Sequence, residues 1–166
     1  YYGRTADLDF IRSLWKHIEA ALFWIDNYGD VDGDGFVEYQ HKSINGLTNQ
    51  GWKDSHDSVM HADGSLADPP IALCEVQAYV YGAKKGAAKL ARVLGHDAMA
   101  ERLERDAAAL KTKFNEVFWD EELETYVLAL DGAKKPCRVV ASNAGHTLLT
   151  SIADKDKAEN LVRRLL

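Results

Sequence analysis

The chain has 166 residues, enough for one domain with a hydrophobic core, and a formal net charge of −6 at pH 7. This negative charge argues against nucleic acid and anionic membrane surfaces as partners. No apolar run approaches the roughly 20 residues that a membrane span requires.

Apolar residues near the N-terminus recur at helical spacing, with Asp7 as the expected N-cap and an end near Asn27. Residues 30–51 are rich in Gly and Asp, which predicts a loop. Pro69 and Pro70 suit the opening turn of a second helix, which we expect to run to about Leu94. Apolar residues cover most of its circumference, which predicts an inner, buried helix.

The second half of the chain predicts three more helices and one hairpin. Asp97 is the expected N-cap of an outer helix with a charged face. Residues 125–130 and 138–140 have the pattern of paired strands. A short helix begins at 142–143, and Asp154 caps the last helix. Alternating inner and outer helices predict an all-α toroid of helical hairpins with a short β-hairpin insertion.

The segment 46–58 combines chemical groups that a connecting loop does not need, because Trp52 stands close to Asp54 and Asp57. Sugar faces stack on aromatic rings, and cleavage of a glycosidic bond needs a carboxylic acid. An inverting glycosidase also needs a second carboxylate that activates water. Asp54 is therefore a candidate general acid and Trp52 a candidate stacking wall. The alternative is that an aspartate caps a helix and Trp52 belongs to the core.

Two pairs of polar residues are candidate substrate contacts. Glu75 and Gln77 lie in the apolar inner helix, where a carboxylate is costly unless it is paired or faces a wet cavity. Asn143 and His146 share the first turn of a later helix, and their amide and imidazole groups suit sugar hydroxyls. The alternatives are a buried structural pair for Glu75, and a helix cap with a core histidine for the second pair.

The loop that follows the first helix resembles the start of an EF-hand calcium loop. Acidic residues stand at positions 1, 3, 5 and 9 of such a loop: Asp30, Asp32, Asp34 and Glu38. Position 12, where a bidentate Glu belongs, is His41. We therefore expect no metal or other cofactor. The weaker alternatives are that this loop binds calcium or that it lies at the rim of the substrate cleft.

Five segments, taken in order, resemble the bacterial amylo-α-1,6-glucosidases, the glycogen-debranching-like glycoside hydrolases: 46–58, 63–64, 70–79, 126–132 and 142–149. The resemblance spans nearly the whole chain. It implies part of an (α/α)6 barrel. It also implies hydrolysis, by inversion, of α-glucosidic and in particular α-1,6 bonds in glycogen-like glucans or oligosaccharides.

The resemblance also implies roles for single residues. Asp54 corresponds to the general acid. In related trehalase-like enzymes the acid directly follows the aromatic residue, whereas here Lys53 intervenes, so Asp57 stays a minor candidate. The general base of such barrels is a later Glu, and nothing after Asn143 matches it. Since the chain starts without Met and stops within a helical pattern, we expect residues 1–166 to be a partial catalytic domain, inactive alone and able to self-associate.

Two rival functions stay open beside this carbohydrate-acting enzyme. One is another (α/α)6 sugar enzyme, either a trehalase-like hydrolase or an epimerase that works through histidines. The other is a calcium-loaded helical binding module without catalysis. Cys74 and Cys137 fit no metal or redox spacing, which favours reduced thiols and a cytoplasmic location.

Overall fold

The structure, a computed structural model, describes residues 1–43 and 45–166. A four-residue helix α1 (Tyr2–Thr5) precedes the long helix α2 (Leu8–Trp24), which continues as a π-helical turn at Ile25–Gly29. The carboxylate of Asp7 accepts a hydrogen bond from the Phe10 amide at 3.0 Å, so the predicted N-cap is confirmed.

Helices α3 (Cys74–Leu94) and α4 (Asp97–Val117) form the central helical hairpin. The turn between them depends on Gly95, whose φ of 84° lies in the left-handed region that glycine adopts without strain. Most of the large core lies between these two helices and the C-terminal segments. Its fully buried aromatic side chains are Phe36, Phe114, Phe118 and Tyr126.

The start of α3 differs from the sequence-based prediction. The helix was expected to open at Pro69 and Pro70 but begins at Cys74, because the preceding residues pair with other segments. Strand β1 (Ala72–Leu73) pairs antiparallel with a later strand at 129–130, and the Ile71 amide donates to the Tyr39 carbonyl at 2.9 Å. Tertiary pairing therefore overrides the preference of proline for a first helical turn.

Three short strands follow α4: β2 (Trp119–Asp120), β3 (Thr125–Tyr126) and β4 (Ala129–Leu130). β2 pairs with β3, and β4 pairs with β1, both antiparallel. The chain returns beside β4 earlier than expected: the Cys137 amide donates to the Ala129 carbonyl at 2.8 Å, so the return lies at 136–137 and not at 138–140.

The C-terminal part consists of a 3₁₀ turn (Ser142–Gly145), helix α5 (His146–Thr150) and helix α6 (Lys155–Leu165). Asp154 precedes α6, but its side chain makes no cap hydrogen bond and lies 3.6 Å from the Lys111 ammonium instead. The described residues are mostly helical, which confirms the coarse prediction of a helical fold. None of the helices in the described residues is both long and apolar enough to cross a membrane.

Candidate functional site

The loop that carries Trp52 and Asp54 is held in shape by a buried amide. Asn49 accepts a hydrogen bond from the Tyr39 hydroxyl at 2.7 Å and donates to the Ser55 carbonyl at 2.7 Å. Asn49 also donates to the Ser58 hydroxyl, which in turn donates to the Lys53 carbonyl at 2.8 Å. These bonds close residues 49–58 into a compact loop. Sequence reasoning did not single out Asn49, because its partners become visible only in the folded loop.

Glu75 lies in the first turn of α3 and joins this loop to the C-terminal part of the chain. One carboxylate oxygen, Oε1, accepts from the Trp52 amide at 3.3 Å and from Asn143 Nδ2 at 2.9 Å. The other oxygen, Oε2, faces the Cys74 thiol at 3.7 Å. The Glu75 side chain is 0% exposed. Burial and the neighbouring Glu75 charge raise the pKa of the Cys74 thiol well above its ordinary value, so the thiol keeps its proton.

Gly51 permits this close approach of the loop to α3. A Cβ at this position would lie 2.2 Å from Leu73 Cδ1 and 2.8 Å from Glu75 Oε1. Both distances are far below van der Waals contact, so any side chain here would push the loop away from the carboxylate. Glycine at position 51 therefore lets the loop approach the Glu75 carboxylate.

An aromatic cluster lies on the outer side of the same junction. The Trp52 and His146 rings are 5.0 Å apart, and the Tyr79 hydroxyl lies 2.7 Å from His146 Nδ1. Burial, followed by the Glu75 charge, raises the pKa of Tyr79, so its hydroxyl keeps its proton in this contact with the imidazole. The direction of this bond depends on the tautomer of His146, and the tautomer in which Nδ1 accepts carries its proton on Nε2. Trp52 itself is 67% exposed.

Asp54 and Asp57 lie on the same loop as Trp52, and both are exposed. The hydrogen bonds that shape the loop run through Asn49, Ser55 and Ser58 and leave both carboxylates out. Two exposed acidic residues thus lie on the same short loop as an exposed indole. This arrangement can present an acid to a ligand that stacks on Trp52.

Gln77 was predicted to contact the substrate, but its side chain bonds to the protein backbone instead. Its side chain is 0% exposed, and its amide bonds to the backbone at both ends. Oε1 accepts from the Val37 amide at 2.9 Å, while Nε2 donates to the carbonyls of Val37 at 2.7 Å and Leu73 at 3.1 Å. Gln77 therefore attaches the residue 30–38 loop to α3, and no polar atom of its side chain is left exposed for a ligand.

The acidic loop is compact, and a lysine of the protein pairs with three of its four carboxylates. Oxygen atoms of Asp30, Asp32 and Glu38 lie within 4.8 Å of one another, a spacing that would suit a metal ion. The Lys134 ammonium, however, lies 2.8 Å from Asp32 and 2.9 Å from Asp34, and it forms a third ion pair with the buried Glu38. Sequence reasoning missed Lys134, which is 96 residues away from Glu38 along the chain.

The structure therefore brings four of the predicted site residues together at one junction, namely Trp52, Glu75, Asn143 and His146. Asp54 and Asp57 belong to the loop that forms one side of this junction. Gln77 and the acidic loop lie on the other side of the start of α3 and are linked to each other.

The model of the mannosylglycerate hydrolase MGH1-like glycoside hydrolase domain family matches residues 1–166. The comparison with curated proteins returned no match. The fold resembles that of a GH78 family rhamnosidase of Bacillus sp. GL1, with a TM-score of 0.74, 17% identity, and coverage of 99% of this chain and 16% of that chain. A sialidase gives a TM-score of 0.74 at 17% identity, over 98% of this chain and 14% of that one.

A third solved structure, the GH63 mannosylglycerate hydrolase from Thermus thermophilus, gives a TM-score of 0.71 at 16% identity. The match covers 98% of this chain and 50% of that chain. The present chain thus spans half the length of this hydrolase and a smaller share of the other two. At these identities the structural likeness establishes the fold, whereas the family match establishes a glycoside hydrolase domain.

Proposed function

Because the chain belongs to the mannosylglycerate hydrolase MGH1-like glycoside hydrolase family, we propose that it supplies the general acid and one sugar-stacking wall of an inverting glycosidase. The observation that carries this proposal is the exposed Trp52 indole, which lies on the same loop as Asp54. Its ring packs against His146, the first residue of α5. An apolar sugar face would stack on the indole, and the His146 imidazole would donate to a hydroxyl.

In the proposed reaction, Asp54 donates its proton to the glycosidic oxygen as the bond to the anomeric carbon breaks. A second carboxylate then takes a proton from the water that attacks the opposite face, and inversion requires about 6.5–9.5 Å between the two carboxyl groups. We expect this base to come from chain beyond these 166 residues.

The proposed substrate is an α-glycoside of a short saccharide. The order of motifs favours an α-glucosidic and in particular an α-1,6 linkage, in glycogen-like glucans or oligosaccharides. Mannosylglycerate is the main competitor, because the family of this chain is named after a mannosylglycerate hydrolase and a structural neighbour is such an enzyme. A short substrate is favoured because the aromatic surface is small, with one exposed indole beside one imidazole. We further propose that the domain forms part of an (α/α)6 barrel.

The test replaces Asp54 by Asn in the protein that carries this domain. Panose, isomaltose, maltotriose and mannosylglycerate are the substrates, and proton NMR of the first-formed anomer reports inversion or retention. We expect Asp54→Asn to lower kcat by roughly 100- to 10,000-fold on the preferred substrate, the usual contribution of general acid catalysis. The loss should shrink for an aryl glycoside with an acidic phenol, since that leaving group needs no proton.

Asp57→Asn is the matched control, because this carboxylate is exposed on the same loop. It should cost far less activity than Asp54→Asn. The reverse ranking would move the general acid to Asp57. Full activity of both variants would refute a glycosidase site on this loop.

A further inference from the structure

We infer that Glu75 is a positioning residue, whose buried carboxylate fixes the Asp54-bearing loop and Asn143 against the start of α3, and that it does not bind sugar. The anchoring rests on geometry alone. Its consequence for catalysis rests on the proposed function, so the two parts receive separate tests.

The first argument is burial. The Glu75 side chain is 0% exposed, as are its neighbours Ala72, Cys74 and Ala78. Both carboxylate oxygens face donors of the protein itself. A sugar hydroxyl reaches this carboxylate only if the Trp52 backbone first moves away, which would remove the stacking surface from the site.

The second argument is connectivity. Oε1 receives hydrogen bonds from two segments that are distant in sequence, through the Trp52 amide and Asn143 Nδ2. Trp52 lies two residues before Asp54, and Asn143 lies three residues before His146. A single oxygen therefore sets the relative position of the proposed acid and the proposed sugar-binding imidazole.

The third argument is the state of Asn143, which is 1% exposed. Its Oδ1 atom is buried and has no hydrogen-bond partner among the described residues. The orientation of this amide is therefore determined by its Nδ2 bond to Glu75. Loss of the carboxylate would leave both ends of the amide unsatisfied, so the 3₁₀ turn at Ser142–Gly145 would shift with it.

A carboxylate suits this position better than a neutral group. Two N–H donors converge on one oxygen and a protonated thiol faces the other, so a group that only accepts hydrogen bonds suits all three partners. The first turn of a 21-residue helix also stabilises a negative charge. The charge is thereby compensated without any contribution from a ligand.

Hydrogen exchange of the ligand-free protein tests the anchoring, with Glu75→Ala and Glu75→Gln compared with wild type. In Glu75→Ala the amide of Trp52 should exchange about 10- to 100-fold faster, the factor that corresponds to a lost hydrogen bond to a charged acceptor. In Glu75→Gln one oxygen remains for the same donor, so the increase should be smaller. This graded response is the expected result even if the protein has no glycosidase activity.

Asn115→Ala is the control for general destabilisation. Asn115 is also buried and polar, and it donates to the Ile152 carbonyl at 2.8 Å in another part of the molecule. It should lower the melting temperature and leave the exchange of residues 50–55 at the wild-type rate. Wild-type exchange of the Trp52 amide in both Glu75 variants would overturn the inference.

The catalytic consequence is tested in the active protein with the same variants. Glu75→Ala should lower kcat by roughly 100-fold with little change in KM, because a displacement of about 1 Å of the acid has that effect on rate. Glu75→Gln should recover most of this loss. A rise in KM for both variants, with loop exchange unchanged, would make Glu75 a sugar ligand. Failure of Asp54→Asn to affect activity would refute the proposed function but not the anchoring.

Discussion

Replacement of Lys134 by Met tests whether the acidic loop of residues 30–38 depends on a lysine or on calcium. The Lys134 side chain is 30% exposed, and its partners differ in burial: the side chain of Glu38 is 0% exposed, that of Asp34 24% and that of Asp32 39%. Methionine keeps the length of the side chain and removes only the charge. Lys134 has a φ of 60°, so a change to glycine would also relieve backbone strain and confuse the comparison.

The magnitude follows from these exposures. Removal of one partner of a fully buried pair costs about 3–5 kcal/mol, whereas an exposed pair contributes about 0–1 kcal/mol. Since the ammonium itself is partly solvated, we expect a loss of about 2–4 kcal/mol in the free energy of unfolding, mostly from Glu38. For a domain of this size that corresponds to a fall of roughly 5–15 °C in melting temperature.

The assay is thermal unfolding followed by circular dichroism at pH 7, with calcium or a chelator added. Wild type should respond to neither. The melting temperature of Lys134→Met should fall, and calcium should partly restore it, because oxygens of Asp30, Asp32 and Glu38 lie close enough to share an ion. Lys135→Met is the matched control, since Lys135 bonds to Asp131 through its backbone amide, which the substitution keeps.

Two results would refute this reasoning. One is a melting temperature of Lys134→Met equal to that of wild type. The other is a large fall of the wild-type melting temperature on chelation that calcium alone reverses, since the loop would then depend on a bound ion. Burial opposes the charge of Lys134, but hydrogen bonds to Asp32, Glu38 and Asp34 outweigh it and raise the pKa of Lys134. This contribution to stability is therefore complete below about pH 10 and is lost only as the pH rises through the folded-state pKa.

Three further predictions concern the loop and the surface. Gly51→Ala should destabilise the protein by about 1–3 kcal/mol in urea unfolding, since the added methyl group would lie 2.2 Å from Leu73 Cδ1, and a wild-type midpoint would contradict this. Trp52→Ala should change stability by at most about 0.5 kcal/mol but weaken saccharide binding about two- to tenfold by calorimetry, and unchanged binding would count against stacking. A hydrogen bond from Arg138 is the main cause that lowers the pKa of Asp120, so this pair stabilises the fold above about pH 4 and is lost as the pH falls further. Asp120→Asn should remove this part of the acid dependence in pH-dependent unfolding, and an unchanged acid profile would refute it.

The helices were largely predictable because their signals are local. The apolar period and the Asp7 cap of α2, and the glycine that ends α3, act within one or two helical turns. The boundary at Pro69 and Pro70 was wrong for the opposite reason. What starts α3 at Cys74 is pairing with residues 129–130, and no local pattern encodes a partner so far along the chain.

Single side chains also differ in whether local sequence or distant partners determine their environment. Trp15 and Trp24 share one helix, yet Trp15 is buried and Trp24 is 53% exposed. Lys134 and Asn49 could not be identified from sequence, because their importance comes from partners brought near by folding. Residue type alone also left open whether Glu75 binds a ligand or the protein, a choice that depends on which donors face the carboxylate.

The beginning of α3 organises both sides of the molecule. Within one turn of each other, Glu75 binds the Trp52 loop and Asn143, while Gln77 binds the backbone of Val37 in the acidic loop. The two side chains are completely buried, and each bonds to the backbone of a loop, Glu75 at Trp52 and Gln77 at Val37. Irregular segments have few backbone hydrogen bonds to fix them, so buried side-chain acceptors on a rigid helix must do so. A loop that presents an exposed acid and indole needs this support, because binding of a flexible sugar demands a surface that is already ordered. The buried polar residues of α3 thus explain how a largely helical domain can hold its proposed chemistry on loops.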